Sequence, residues 1–227
     1  MAAKKQHRTP RDLARLVAQY QICADCRIID RDHHRRQYGY LCPVCGKPGQ
    51  GGHSYFEISV HVLTSLVEES ADARRPRSNS TRFVSVNVPH IAAVLFFCTL
   101  RELLLNWLIE YLCGAQKIPK PIYERLLADN NGHARRQNAV LPSLTGRKWK
   151  ALVAHETKAS GVDYGALNDF LERAVAARNK FMHEGKHWGI DRALARDCAS
   201  SVPALLEFYV ALHNRYVHPV HLKAIGP

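Results

Sequence analysis

The sequence predicts a mainly α-helical protein with a small cysteine-rich module at its N-terminal end. Three observations carry that expectation. Apolar residues recur at helical spacing through most of the C-terminal two thirds, from Pro89 onward. Two C-x2-C pairs, Cys23/Cys26 and Cys42/Cys45, lie close together near the start. The composition of the 227 residues, 46% hydrophobic and 23% charged, is that of a globular chain long enough for a bundle and one small module.

The first element expected is a short amphipathic helix. Thr9 can cap it, Pro10 suits the first helical position, and Leu13, Leu16, Val17 and Tyr20 form its apolar face to about Gln21. The helix delivers the chain to Cys23-Ala-Asp-Cys26, and after fifteen intervening residues comes Cys42-Pro-Val-Cys45-Gly46. Each pair forms a tight knuckle that aims two thiolates at one point, and two knuckles complete a tetrahedron. The pattern predicts a zinc ribbon in which Cys23, Cys26, Cys42 and Cys45 hold a structural Zn²⁺, with Ile28–Leu41 as its hairpin. Four thiolates leave no position open for substrate, so the metal is expected to serve folding, not chemistry. The hairpin tip reads Arg31-Asp-His-His-Arg35-Arg36, and Arg31, Arg35 and Arg36 are its candidate phosphate contacts.

Gly49, Gly51 and Gly52 close this module. Ser54-Tyr-Phe-Glu57 has capping-box spacing, and a helix is expected from there to about Ala73. A polar, basic segment follows that reads as a linker, and Phe83–Val88 alternates like an extended lead-in. The organisation expected is therefore an N-terminal helix and ribbon over 1–53, a connecting helix and basic linker over 54–82, and a helical bundle over 83–227. The bundle's helices are expected at 89–113, 121–128, about 144–157, 164–184 and 191–216, separated by Gly114, Asn131-Gly132 and Gly185. Cys98, Cys113 and Cys198 fall on its apolar faces as small buried hydrophobes.

The balance of charge narrows the partner. Lysine and arginine number 32 against 20 acids, a formal net charge of +12. Residues 1–53 hold 10 bases and 4 acids, so half of the excess sits in under a quarter of the chain. A polyanion is expected, nucleic acid before membrane. The N-terminus has no apolar run of signal-peptide type, and Ile91–Leu100 is too short to span a bilayer before Arg101 and Glu102 interrupt it. Seven cysteines, four of them paired as knuckles, suit a reducing, cytoplasmic setting. The chain carries no P-loop, no G-x-G-x-x-G and no H-E-x-x-H, which removes nucleotide hydrolases, dinucleotide enzymes and zinc proteases from consideration.

The end of the 164–184 helix concentrates the remaining chemistry. Arg178 continues the stripe of Ala174 and Val175, where an arginine is unusual unless it is paired. Asn179 follows it directly, and His183 comes five residues after Arg178 beside the terminating Gly185. Arg178-Asn179-Lys-Phe-Met-His183 resembles the R-x4–6-H motif of the HEPN superfamily, whose commonest form places Asn after the arginine. The likeness extends over about residues 85–220 in helix layout and over this motif in residue detail.

The resemblance implies an HEPN-like bundle of four to five helices and a metal-independent endoribonuclease, a homodimer whose two motifs share one cleft. His183 is then the general acid or base, Arg178 the holder of the scissile phosphate and Asn179 an orienting group. Because family members often place an acidic or polar residue on the first bundle helix, the resemblance also implies Glu102 on the 89–113 helix as a supporting partner of Arg178, with Asn106 one turn on. Cleavage by the RNA's own 2′-OH leaves a 2′,3′-cyclic phosphate. Members of this kind act as toxins or antiviral defence effectors, with a regulatory partner or antitoxin whose identity is unknown. The alternative expectation is a non-catalytic zinc-ribbon adaptor that binds nucleic acid through its basic tip and dimerises through the bundle. A third, a DNA-binding regulator, follows from the fact that ribbons read either nucleic acid.

Overall fold

The computed structural model describes residues 10–23, 25–31, 42–46, 53–73 and 82–219. Thr9, the tip residues His33, His34, Arg35 and Arg36, the closing glycines 49, 51 and 52, and most of the basic linker (74–81) lie outside the described residues. The chain is mainly α-helical, as expected, and among the described residues it has one small sheet near its start.

Helix α1 (Pro10–Val17) ends earlier than its apolar spacing predicts, because Tyr20–Ile22 leaves the helix as strand β1. Strand β2 (Ile29–Arg31) pairs antiparallel with β1, Tyr20 opposite Arg31 and Ile22 opposite Ile29. Strand β3 (His53–Ser54) takes the other edge of β1, giving the order β2-β1-β3. The first residues of the Ile28–Leu41 segment pair backward with β1, and residues 32–41, where the rest of the expected hairpin falls, lie outside the described residues. Ser54 lies in a strand, and Glu57 is the N-cap of α2 (Ile58–Asp72), without a side-chain capping bond.

Helix α2 packs against both α3 (Arg82–Ala115) and α9 (Arg192–Tyr216), which also pack on each other. What reads as a connecting helix is thus a member of the bundle. Helix α3 starts at Arg82, so the 83–88 stretch is helical instead of extended, and Pro89 lies inside the helix, not at its start. Val88–Ala115 is long and apolar enough to cross a bilayer by length and composition alone, and half of its apolar window is buried inside the fold. In the fold α3 supplies the centre of the core: Phe97, Leu100, Leu105, Leu108, Ile109 and Leu112 are fully buried. Burying each such side chain contributes about 1.5–3 kcal/mol relative to exposure.

Helix α4 (Lys120–Asp129) is followed by α5 (His133–Arg135), a π-helical turn at Arg136–Val140 and α6 (Leu141–Thr145). Gly146 ends α6 in the left-handed region, φ 71°, so α7 runs Trp149–Ser160 instead of starting near Leu144. Helix α8 (Tyr164–Glu184) matches its expected span, opened by Asp163, whose carboxylate accepts from Ala166 N at 2.9 Å, and closed by Gly185. Asp191 caps α9 in the same way through Leu194 N at 2.8 Å. Cys98, Cys113 and Cys198 are buried, as expected.

One buried apolar cluster runs from Leu13, Val17, Tyr20 and Ile29 into the bundle residues of α3, α8 and α9. Polar contacts reinforce this join. The Asn214 side chain on α9 donates to Ile29 O at 2.7 Å and accepts from Ile29 N at 2.8 Å, reading the backbone of β2 like a third strand. Arg31 pairs with Glu207 at 3.0 Å, and His218 Nδ1 meets the carbonyl of Cys26. Asn214→Ala should leave both backbone groups of Ile29 without partners, at a cost of about 2–3 kcal/mol. Urea unfolding checks this, and a midpoint unchanged from wild type would contradict it.

His213 lies fully buried against Tyr55 and Tyr111, ring centroids 5.3 and 5.2 Å away. Burial drives its pKa down to about 4, partly offset by Asn214. The unfolded chain therefore binds this proton first, and stability falls as pH drops from about 6.5 toward 4, by roughly 3 kcal/mol for this group. Urea midpoints at pH 7 and pH 4.5 should differ less in His213→Phe than in wild type.

Candidate metal centre and basic pocket

The four cysteines of the two knuckles come together as expected. All four sulfurs lie within 4.8 Å of one another, with Cys23, Cys26 and Cys42 buried and Cys45 exposed. Cys23 Sγ and Cys45 Sγ are 3.8 Å apart, and Cys26 Sγ and Cys42 Sγ 3.5 Å. Four sulfurs placed tetrahedrally at a metal–sulfur distance near 2.3 Å are separated by about 3.8 Å, so the donor set fits one metal ion. The knuckles share a local geometry. Arg27 N donates to Cys23 O at 3.0 Å and Gly46 N to Cys42 O at 2.9 Å, each just after the second cysteine.

Both residues take the left-handed conformation that closes the turn, Arg27 with φ 59° and Gly46 with φ 67°. A glycine suits that position and an arginine is strained there. A Cβ at Gly46 would meet nothing within 4 Å, so Gly46→Ala should cost about 1–2 kcal/mol through backbone strain alone. Thermal unfolding of the metal-loaded protein measures it; no loss would contradict the turn as described.

The sulfurs are not equivalent. Burial raises the Cys42 thiol, but amides of Cys45 and Val44 donating to its sulfur, both at 3.5 Å, outweigh that and bring it to about 7. Burial pushes Cys26 well up. Four thiolates packed this closely repel one another, and a divalent cation removes the conflict.

The second site lies between α3, α8 and the segment of α5 and the π turn. Arg178 on α8 reaches Glu102 on α3, Nη2 to Oε1 at 3.4 Å, and donates from Nη1 to Asn179 Oδ1 at 3.1 Å. The pairing expected from sequence is therefore present. Arg178 keeps 30% of its side chain exposed and Glu102 39%, so the pair sits at a surface opening rather than in the core. His183 is exposed on the last turn of α8, and Gly185 ends that helix at φ 65°. Its neighbours Met182 and Trp188 are also exposed, at 56% and 69%, and Trp188 stacks loosely on His187 at 4.4 Å.

Arg178, Asn179 and Glu102 line a pocket of ≈ 460 Å³ whose opposite wall is α5 and the π turn. His183 is not among its lining residues. Asn106, also named from sequence, lines it and accepts from Arg136 Nη1 at 2.8 Å. Sequence reasoning missed the buried network at its base. Arg101, 2% exposed, donates from Nη2 to Gln137 Oε1 at 2.9 Å and to Glu172 Oε1 at 3.0 Å. His133 Nε2 contacts the same Gln137 oxygen at 2.9 Å. Burial and the adjoining Arg101 push His133 down to about 3, so the ring is neutral at pH 7 and bonds without adding charge.

Of the tip residues, only Arg31 is described, and it is engaged internally, with Glu207 and with Gln19 Oε1 at 3.0 Å. Compared with family models, curated proteins and solved structures, the chain finds no match.

Proposed function

We propose that the protein is a metal-independent endoribonuclease of HEPN type that acts as a homodimer, with a structural Zn²⁺ in its four-cysteine site. The observation that carries this reading is the held geometry of Arg178. Glu102 and Asn179 fix its guanidinium at the mouth of a basic pocket, while His183 stands free on the same helix end. A planar guanidinium matches phosphate oxygens and the charge that builds on them in a pentacoordinate transition state. Imidazole ordinarily titrates near neutrality, which suits proton transfer at both ends of the reaction.

In this mechanism the RNA 2′-OH attacks the adjacent phosphorus, forming the O2′–P bond and breaking P–O5′. His183 takes the 2′-OH proton as base and, as the resulting imidazolium, gives a proton to the departing O5′, so the products are a 2′,3′-cyclic phosphate and a 5′-hydroxyl. No metal is required at that centre. Zinc is the metal chosen for the knuckles because four thiolates in a tetrahedron are its usual structural ligand set. Cysteine chemistry of this kind belongs in a reducing compartment such as the cytoplasm.

A second reading has its own observation. Arg178 is already neutralised by Glu102, and His183 does not line the pocket, which is what a non-catalytic nucleic-acid adaptor would also display. Zinc-loaded protein in magnesium-free buffer, given single-stranded RNA and DNA of one sequence, separates the two. Cleavage of RNA alone is expected. Salt-sensitive binding of RNA without any cleavage would favour the adaptor.

A further inference from the structure

We propose that the pocket between α3, α8 and the α5–π-turn segment binds the phosphate of a nucleotide, with Arg136 and Arg135 as its unclaimed cations. The pocket shares Arg178 and Asn179 with the proposed ribonuclease centre, but its test reads binding through Arg136 and Arg135 and not cleavage, so the two readings can fail separately.

The pocket's charges do not balance. Four arginines line it against two glutamates. Both glutamates are already committed, Glu172 to Arg101 and Glu102 to Arg178. Arg136 makes only neutral contacts, to Asn106 Oδ1 and to Leu127 O at 3.1 Å, and among the described residues neither it nor Arg135 pairs with a carboxylate. A surplus of two guanidinium groups facing one cavity is an anion site, and the planar fork favours phosphate oxygens.

The buried polar atoms support the same conclusion. Arg101 Nε, Arg136 Nε and His133 Nδ1 are all buried without a hydrogen-bond partner among the described residues. Three orphaned polar atoms around one cavity are unusual in a folded protein, where such groups are nearly always satisfied. The volume of ≈ 460 Å³ lies within the range of small-molecule sites. Four asparagine side chains complete the wall and offer donors and acceptors to a ribose or base. The ligand class is therefore a nucleotide rather than bare phosphate, either free or as one unit of an RNA strand.

Equilibrium binding of adenosine 5′-monophosphate and of adenosine to the full zinc-loaded chain tests the proposal. The monophosphate should bind at least roughly tenfold more tightly than the nucleoside, and Arg136→Gln should weaken it by a similar factor. Arg125→Gln removes the same charge from α4, away from the pocket, and should leave binding within about twofold. Arg135 is exposed, so Arg135→Gln gives a second pocket variant should Arg136→Gln fail to fold, with several-fold weakening expected. A non-cleavable 2′-O-methyl RNA identifies the source: displacement of the monophosphate assigns the site to a strand, and its persistence assigns it to a free nucleotide. Equal binding of adenosine and its monophosphate, absence of binding by either, or equal loss in Arg125→Gln and the pocket variants would overturn the proposal.

Discussion

Removing the metal from the four-cysteine site is expected to unfold the β1–β2–β3 sheet and lower the melting temperature by roughly 10 °C or more. The sheet is small, two to three residues per strand, and cannot be stable alone. Its chain ends are held by the knuckles. Structural zinc sites contribute apparent binding free energies of about 10–16 kcal/mol, comparable to the whole stability of an ordinary domain. Without the ion, the close thiolates repel, and the β2 backbone loses the register that lets Asn214 reach Ile29. Cys26→Ser should behave like the chelated protein, since its buried position opposite Cys42 admits no substitute ligand. Elemental analysis should find one zinc per chain, and amide exchange at Ile22 and Ile29 should accelerate on chelation. Unchanged exchange in metal-free protein would show that the apolar join to α9 suffices.

The second large effect concerns Arg178 and His183. Arg178→Ala should reduce RNA cleavage by about 10²–10³-fold and His183→Ala by about 10²–10⁴-fold, each with the fold intact. His183 is exposed and Arg178 is 30% exposed, so neither change opens a cavity in the core. A merely structural role would give the opposite pattern. Arg178→Ala would then leave Glu102 without its partner and cost stability, while His183→Ala would do nothing. Cleavage rates on single-stranded RNA, paired with urea midpoints for each variant, distinguish the two. Survival of full activity in either variant would end the nuclease assignment.

Much of this architecture is legible in the sequence because its signals are local. Asp163 and Gly185 mark both ends of α8, and the two knuckles are read from spacing alone. Arg178 stands out as a charge on an apolar stripe, whereas Glu102, its partner at 3.4 Å, is suggested by the family resemblance and not by any local pattern. What misleads is also local. Pro89 looks like a helix start, yet α3 begins at Arg82, and packing against α2 and α9 outweighs one missing backbone bond. Ser54 has the spacing of a capping box but is drawn into pairing with Gln21. The basic pocket is hidden for a different reason. Its contacts join Arg101 to Gln137 and Glu172, 36 and 71 residues away, and no local pattern marks such a meeting. The π turn that carries Arg136 has no sequence signature either.

The chemistry at the RNA ends tests the central claim most directly. Mass spectrometry of an oligoribonucleotide after treatment with zinc-loaded protein in magnesium-free buffer should find a 2′,3′-cyclic phosphate on one fragment and a 5′-hydroxyl on the other. A single 2′-deoxy substitution at the cleaved position should abolish the cut. Fragments with 3′-hydroxyl and 5′-phosphate ends, or a cut that survives the 2′-deoxy substitution, would contradict attack by the RNA's own hydroxyl and with it the mechanism assigned to Arg178 and His183.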